Sequence, residues 1–509
     1  MKHHPRKVAV VATAAASLLL ASCSAGSGPG TGSDDGEGSS TSDEQLVVGL
    51  VAEPANLDFT TTDGAAIPQA LLYNVYESLV EVDQEGEIVP GLAESWEVSE
   101  DRRTYTFQLV EGATFSSGEE FTAEDAKFSI EQVQKDWTIS LAAAMDVVSS
   151  VEAVSPTELE VTLEQPSNDW LYRMTTRIGA MFDEQGVQDL ANDPVGTGPY
   201  DVSDRVRGDS LTLSRNDDYW GEAPYFESVT LKYFKDPTAL NNALLSGTID
   251  VIGTVQSPES LEQFESNDEY QVIEGTTNGE VVLSMNNESG PMADEQVRQA
   301  VRHAIDHEAL VETCWAGRGE LIGSMVPPTD PWYEDLTDIY PYDPEAARGL
   351  LEQSGRASET IRLRLPSLPY ATSCGTVVKS QLEEVGFTVE LDQLEFPAAW
   401  LSTVFTNADY DLSIVSHVEP RDMGAVFGDP DYYTKYGTPQ FQDLLAKADR
   451  GTPEEQVAFT QDAARLLSED AAADWLFLLP NLVVAEADIT GLPENAISES
   501  FDVTQLGRE

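Results

Sequence analysis

Residues 416–422 read Ser-His-Val-Glu-Pro-Arg-Asp, which sets three charges, Glu419, Arg421 and Asp422, within four positions and next to His417. Carboxylates hold an ammonium, and a guanidinium holds a carboxylate, through charge-assisted hydrogen bonds that strengthen where water is excluded. With this spacing Asp422 or Glu419 can anchor a ligand amine and Arg421 a ligand carboxylate. The alternative is a solvated turn in which Arg421 pairs with its own acidic neighbours. His303 and His307 stand at i and i+4, the spacing of two zinc ligands on one helix. Zinc requires a third protein ligand, and two histidines on the half-exposed flank of an amphipathic helix explain the spacing without it, so no metal is expected. There is no GxxxxGK[ST] loop, no GxSxG elbow and no HExxH. Nothing argues for covalent or acid–base catalysis, and neither an enzyme nor a cofactor is expected.

The elements around 416–422 would place it at a binding edge. Ile361-Leu363-Leu365 alternates with Arg362 and Arg364 as in a strand. A helix follows across 376–385 and stops at Gly386, and Phe387-Val389-Leu391 reads as the next strand. Another helix spans about 397–406, and Leu412 to Val415 forms a third strand. This β-α-β-α-β order implies parallel strands with right-handed crossovers, and in such sheets ligands sit beyond the carboxyl ends of the strands. Tyr370, Glu395 and the 416–422 segment should therefore converge. Opposite them should lie the loop after the first strand, Leu46 to Leu50, running from Glu53 through Asn56 and Asp58 to Asp63. Asn286, after the strand Val281 to Met285, joins the candidate group. Trp400 can stack on a ligand, though on an amphipathic helix it suits the core equally. The first half mixes α and β: a helix over 66–80, a strand Thr104 to Leu109, a helix after Thr122, and a hairpin of 147–154 with 158–163 around Ser155-Pro156.

With 509 residues, 41% hydrophobic and 8% aromatic, the chain can bury a substantial core and should form two or more lobes. Ninety acidic against 28 basic residues give a net charge of −62, which excludes a nucleic-acid partner, since phosphate binding needs surface Lys and Arg. Lys2, Arg6 and Lys7 precede the apolar run Val8 to Leu20, too short to span a membrane and patterned as a secretory signal. The run ends in Leu20-Ala21-Ser22-Cys23, which looks like a bacterial lipobox. Cleavage after residue 22 would leave Cys23 to be lipidated; an ordinary signal peptide with an incidental Cys is the alternative. Ser24 to Glu44 contains only small, polar and acidic residues plus Pro and should be a flexible tether. Cys314 and Cys374 remain, and an even remainder in an exported chain favours a disulfide over two buried thiols.

Several stretches resemble a known family. They are Pro90-Gly91-Leu92-Ala93-Glu94-Ser95-Trp96-Glu97-Val98, then Gly112-Ala113-Thr114-Phe115, then Phe121-Thr122-Ala123-Glu124-Asp125-Ala126-Lys127-Phe128-Ser129. Gly196-Thr197-Gly198-Pro199-Tyr200, Asp218-Tyr219-Trp220-Gly221, Gly247-Thr248-Ile249-Asp250-Val251, Val297-Arg298-Gln299-Ala300 and Ala304-Ile305-Asp306 follow in order. The chain is similar to the extracellular solute-binding proteins of family 5, the receptors of ABC importers for dipeptides, oligopeptides and nickel chelates. The resemblance implies an α/β, type II periplasmic-binding-protein-like fold of two lobes with an extra subdomain in lobe I. Its divisions would be a signal at 1–22, a lipidated Cys and tether at 23–44, lobe I at 45–280 with the subdomain at about 65–190, lobe II at 281–479, and a return to lobe I at 480–509. It further implies a monomer on the outer face of the bacterial cytoplasmic membrane, held there by lipid alone. Its partners would be a permease, an ATPase and a small solute, peptide-like by preference; a metal chelate, an oligosaccharide or another metabolite is the alternative, and a secreted hydrolase a remote one. Two departures stand out: Ser116-Ser117-Gly118 replaces the family's usual Asp-Gly after Phe115, and 416–422 lacks the aromatic, Gly/Asp-rich character of many peptide binders.

Overall fold

The structure is a computed structural model and describes residues 45–509; the signal segment, Cys23 and the tether lie outside the described residues. A seven-stranded sheet forms the first lobe, in the order Tyr270–Gly275, Asn481–Glu486, Val251–Ile252, Gln45–Leu50, Ser228–Tyr233, Ser210–Arg215, Tyr200–Val206. Gln45–Leu50 runs parallel to both its neighbours, and Leu46, Val48 and Leu50 are buried. A four-stranded antiparallel sheet, Ala93–Val98, Thr104–Leu109, Glu158–Leu163 and Val148–Ser155, packs beside it. The expected hairpin is its edge, and the Asp125 carboxylate accepts from the Thr122 N–H at 2.9 Å to start the helix Ala123–Asp136 that covers it.

The motifs that carry the resemblance do structural work. A Cβ on Gly196 would sit 1.9 Å from the Val75 carbonyl oxygen and one on Gly198 2.7 Å from that of Asn74, so only glycine lets these backbones meet. That meeting also shortens the helix expected over 66–80. It runs only from Ala66 to Leu71, after which the chain turns with Tyr73 at a φ of 63°. The Asn74 and Val75 carbonyls then accept from Tyr200 and Gly198. Tyr219 and Trp220 donate to the buried Glu77 carboxylate at 2.7 and 3.0 Å.

The second lobe carries a five-stranded sheet in the order Thr388–Leu394, Thr360–Pro366, Leu412–His417, Glu280–Met285, Ala473–Leu478. The first three are parallel, and Glu280–Met285 is antiparallel to both its neighbours. Two short segments join the sheets, 276–279 outward and 479–480 back, and they are stitched together. The Leu479 N–H donates to the Gly279 carbonyl at 2.9 Å, and the Thr277 hydroxyl to the Leu479 carbonyl at 2.7 Å.

His303 and His307 do not share a helix. Helix Glu295–Ala304 ends before Asp306, whose side chain accepts from the Ala309 N–H at 3.0 Å and opens a new helix, His307–Cys314. His303 Nδ1 lies 2.8 Å from the Pro341 carbonyl, whereas His307 Nε2 lies 3.1 Å from the Asp474 carboxylate. Asp474 is fully buried and also takes Arg302 Nε at 3.3 Å. Cys314 is bonded to Cys374 of helix Pro369–Val385, with their Cα atoms 4.9 Å apart. Among the described residues no helix is long and apolar enough to cross a membrane, and no group of three or more His, Cys, Asp or Glu is placed to hold a metal ion.

Candidate functional site

The strand Leu412–His417 delivers the 418–422 loop to the face between the lobes. Tyr370 fixes the strand's end, its hydroxyl accepting from the Ser416 N–H at 2.9 Å. It does so from the first turn of helix Pro369–Val385 rather than from a loop, because Pro369 starts that helix earlier than the apolar spacing indicates. His417 Nε2 lies 2.9 Å from the Tyr433 hydroxyl, itself 2.7 Å from Ser284 Oγ. Burial pushes His417 down to about 4, so the imidazole is neutral at physiological pH. Burial, followed by the nearby Glu419 charge, pushes the Asp422 carboxyl well up. Across the strand from His417, Glu280 is pushed up in the same way by burial and then by Asp422. One oxygen of each, Asp422 Oδ1 and Glu280 Oε2, is buried without a hydrogen-bond partner.

Arg421 sits differently from the expectation. Its guanidinium lies over the Tyr172 ring at 3.4 Å and the Trp332 ring at 4.8 Å from their centroids, with Nε 3.4 Å from Asp330 Oδ1. That guanidinium bridges the lobes, sandwiched by rings and paired through Nε with Asp330, and it does not line the cavity described below. Arg173 of the first lobe holds the loop itself, donating to the Pro420 and Arg421 carbonyls at 3.0 and 2.9 Å and to Asp169 at 2.7 Å. Glu419 is the most open of the group. With Val418 it is the second lobe's share of a cavity of about 670 Å³, the rest of whose wall comes from the first lobe and the crossing segments, among them Glu81, Arg177, Gly279, Glu499 and Asp502. Arg177 is buried beneath it, its Nη2 3.6 Å from Glu419, its Nε donating to Glu499 at 2.8 Å and its Nη1 to the Gly64 carbonyl at 3.0 Å.

Four further expected residues have structural partners. Trp400 is 4% exposed, donates to Ser413 Oγ at 3.1 Å and packs against Phe396 and Tyr433; it belongs to the core. Asn286 lies away from the group, because Glu280–Met285 runs antiparallel to Leu412–His417 and carries its end to the opposite edge. There its amide donates to the Ala408 carbonyl at 2.9 Å. Asn56 shapes the 53–63 loop, accepting from the Asp58 N–H at 2.7 Å and donating to Thr62 at 3.2 Å. Glu395 also stays outside the group and accepts from the Ala399 N–H at 3.4 Å. The residues that sequence reasoning missed are Tyr172, Arg173, Arg177, Glu280 and Glu499. Two arginines in the short run 170–177, in a chain with so few basic residues, were the available signal.

Ser167 and Asn168, just before that run, and Arg102 close the outer rim of the cleft. Helix Pro439–Arg450 of the second lobe ends with carbonyls that lack intrahelical partners. Asn168 Nδ2 donates to the Ala448 and Gly451 carbonyls, both at 2.8 Å, and Arg102 Nη2 to that of Arg450 at 2.6 Å. The Ser167 hydroxyl donates to Asp449 at 2.7 Å. One lobe thus caps a helix of the other. Asn168→Ala removes two hydrogen bonds between the lobes, worth about 0.5–1.5 kcal/mol each, and the acceptor that holds Arg102 Nη1 at 3.1 Å. Small-angle scattering should then report a wider ligand-free molecule, and affinity for the carried ligand should fall about tenfold. Unchanged scattering would mean the contact does not hold the lobes together.

Two lobes joined by a pair of crossing segments, with a cavity walled by both, define a solute-binding protein that closes on its ligand. The chain belongs to the bacterial extracellular solute-binding proteins, family 5, whose family model matches residues 87–440; proteins of this kind serve ABC importers. The nickel-binding periplasmic protein of Escherichia coli is 26% identical over 475 residues, covering 85% of this chain and 89% of that one. The dipeptide-binding protein of the same organism is 25% identical over 371 residues, 66% of this chain and 68% of the other. A periplasmic binding protein of Helicobacter pylori, solved with the peptide STSA, superposes with a TM-score of 0.82 at 22% identity, covering 91% of this chain and 98% of that one.

Proposed function

We propose that the protein is a lipid-anchored receptor that captures a peptide-like solute between its lobes and delivers it to an ABC permease, without chemical change. The observation that carries this reading is the cavity of about 670 Å³ with the Glu419 carboxylate in its wall. Its volume falls in the range that encloses a small ligand. Glu419, backed by Asp422 behind it, would take the ligand amine, and closure would strengthen the contact by excluding water. A metal chelate is the second reading. It is supported by the nickel-binding relative and by an imidazole, His417, that burial keeps neutral.

Native mass spectrometry of freshly purified protein lacking residues 1–23 tests the cargo. A carried peptide-like mass supports the first reading and a nickel isotope pattern the second, whereas turnover of a carried ligand would remove the receptor assignment. Anchoring would run through Cys23. Metabolic labelling with palmitate should mark the full chain and be lost in Cys23→Ala, and equal labelling of both would refute it.

A further inference from the structure

We propose that the cleft selects cationic solutes and excludes anionic ones; this rests on the interlobe cavity being the ligand site. Cations near the cavity are already engaged, whereas carboxylates in its wall lack a counter-charge. Three guanidinium groups stand near the contact between the lobes, and each is engaged by the protein itself. Arg173 is held by Asp169 and by the Pro420 and Arg421 carbonyls. Arg177 is held by Glu499 and the Gly64 carbonyl. Arg421 is held by Asp330 and two aromatic rings. Among the described residues lining the cavity, Arg177 is the only Lys or Arg. An anionic group entering here meets no free cation.

The acceptors are in the opposite state. Glu81, Asp83, Glu85 and Asp502 line the cavity, and none of the four forms an ion pair among the described residues. Glu419 reaches only Arg177, at 3.6 Å, a guanidinium that Glu499 already holds. Behind the wall, Asp422 Oδ1 and Glu280 Oε2 are buried without partners. Like charges in a confined, poorly hydrated space repel, and they are relieved by a ligand that brings positive charge and hydrogen-bond donors. The cavity is large enough for a solute with more than one such group.

The protonation of the wall fits the same selection. Burial, then the Glu77 and Asp502 charges, push Glu81 up to about 8. Tyr73 and Tyr219 also stand near it and bring no positive charge. Glu81 therefore largely holds a proton at neutral pH, and a cation, which favours the ionised form, must expel it. Cation binding at pH 7 should release protons.

Isothermal titration of the chain lacking residues 1–23 with trilysine, trialanine, triglutamate, spermidine and citrate tests the selection. Trilysine and spermidine should bind at least about tenfold more tightly than trialanine, and triglutamate and citrate should not bind. Repeating trilysine at pH 7 in buffers of different ionisation enthalpy should show proton release that is reduced in Glu81→Gln. Glu419→Gln should weaken trilysine about tenfold. Triglutamate or citrate bound as tightly as the cations, trilysine bound but no tighter than trialanine, or no binding by any of the five would each overturn the inference. Spermidine binding without any peptide would keep the cation selection and remove the peptide reading. Equal binding of trialanine and triglutamate would keep the peptide reading and remove the cation selection.

Discussion

Asp474→Ala is expected to destabilise the protein by about 3–5 kcal/mol, because it strips the counter-charge from a buried guanidinium. Arg302 is 3% exposed and Asp474 fully buried. Apart from Asp474 the guanidinium has only Ser468 as a hydrogen-bond partner, at 2.7 Å to its carbonyl, and it lies against the Tyr340 and Trp475 rings. Burial alone would raise the Asp474 carboxyl, but His307 and Arg302 outweigh it and hold the group below the usual carboxylate range. A folded-state value that is lowered gives stability present above the ordinary unfolded value, about 4. That stability is lost as pH falls through the folded value. Chemical denaturation at pH 7 should show the loss, and the difference between variant and parent should shrink as pH falls below about 4. If the variant unfolds within about 1 kcal/mol of the parent at pH 7, the buried pair does not contribute the stability expected of it. Replacing both partners, Arg302→Met with Asp474→Leu, should recover much of the loss, since the apolar pair leaves no buried charge behind.

Removing the Cys314–Cys374 bond should cost about 4 kcal/mol on the chain-entropy scale for the 60-residue separation it closes. The bond ties helix His307–Cys314 to helix Pro369–Val385, both packed in the core of the second lobe. The double variant Cys314→Ser, Cys374→Ser should unfold at markedly lower denaturant concentration. Its affinity for the carried ligand should stay close to the parent's, because neither cysteine lines the cavity. An unchanged midpoint would mean that the unfolded chain is already restrained without the bond.

Local spacing was enough for the parallel strands of the second lobe, because β-α-β-α-β alternation dictates their direction, and with it came the arrival of 416–422 at the cleft. Asn286 was misplaced for a related reason. A single apolar run such as Val281–Met285 carries no sign of its direction, and the antiparallel pairing that removes Asn286 is made with a strand far along the chain. Arg421 shows the same limit in another form. Its charge was visible, but Trp332 and Asp330 meet it only in the tertiary packing of the second lobe, and Tyr172 only across the contact between the lobes. Asp306 fooled the periodicity between His303 and His307, since one residue that caps a helix also ends the pattern before it. Glu280 and Glu499 gave no signal among 90 acidic residues; only burial separates them from the rest.

The stitched pair of crossing segments makes the second lobe an uninterrupted insertion between two strands of the first lobe's sheet that lie side by side, Tyr270–Gly275 and Asn481–Glu486. As the chain is made from its amino terminus, every strand of the second lobe is therefore available before the first lobe can finish. The seven-stranded sheet stays split, with Val251–Ile252 and Tyr270–Gly275 separated by the vacant place of Asn481–Glu486. Long-range pairing of this kind delays closure of a sheet until its last strand arrives. A chain halted before residue 481 can hold a finished second lobe while the sheet of the first lobe, against which it closes, is still open.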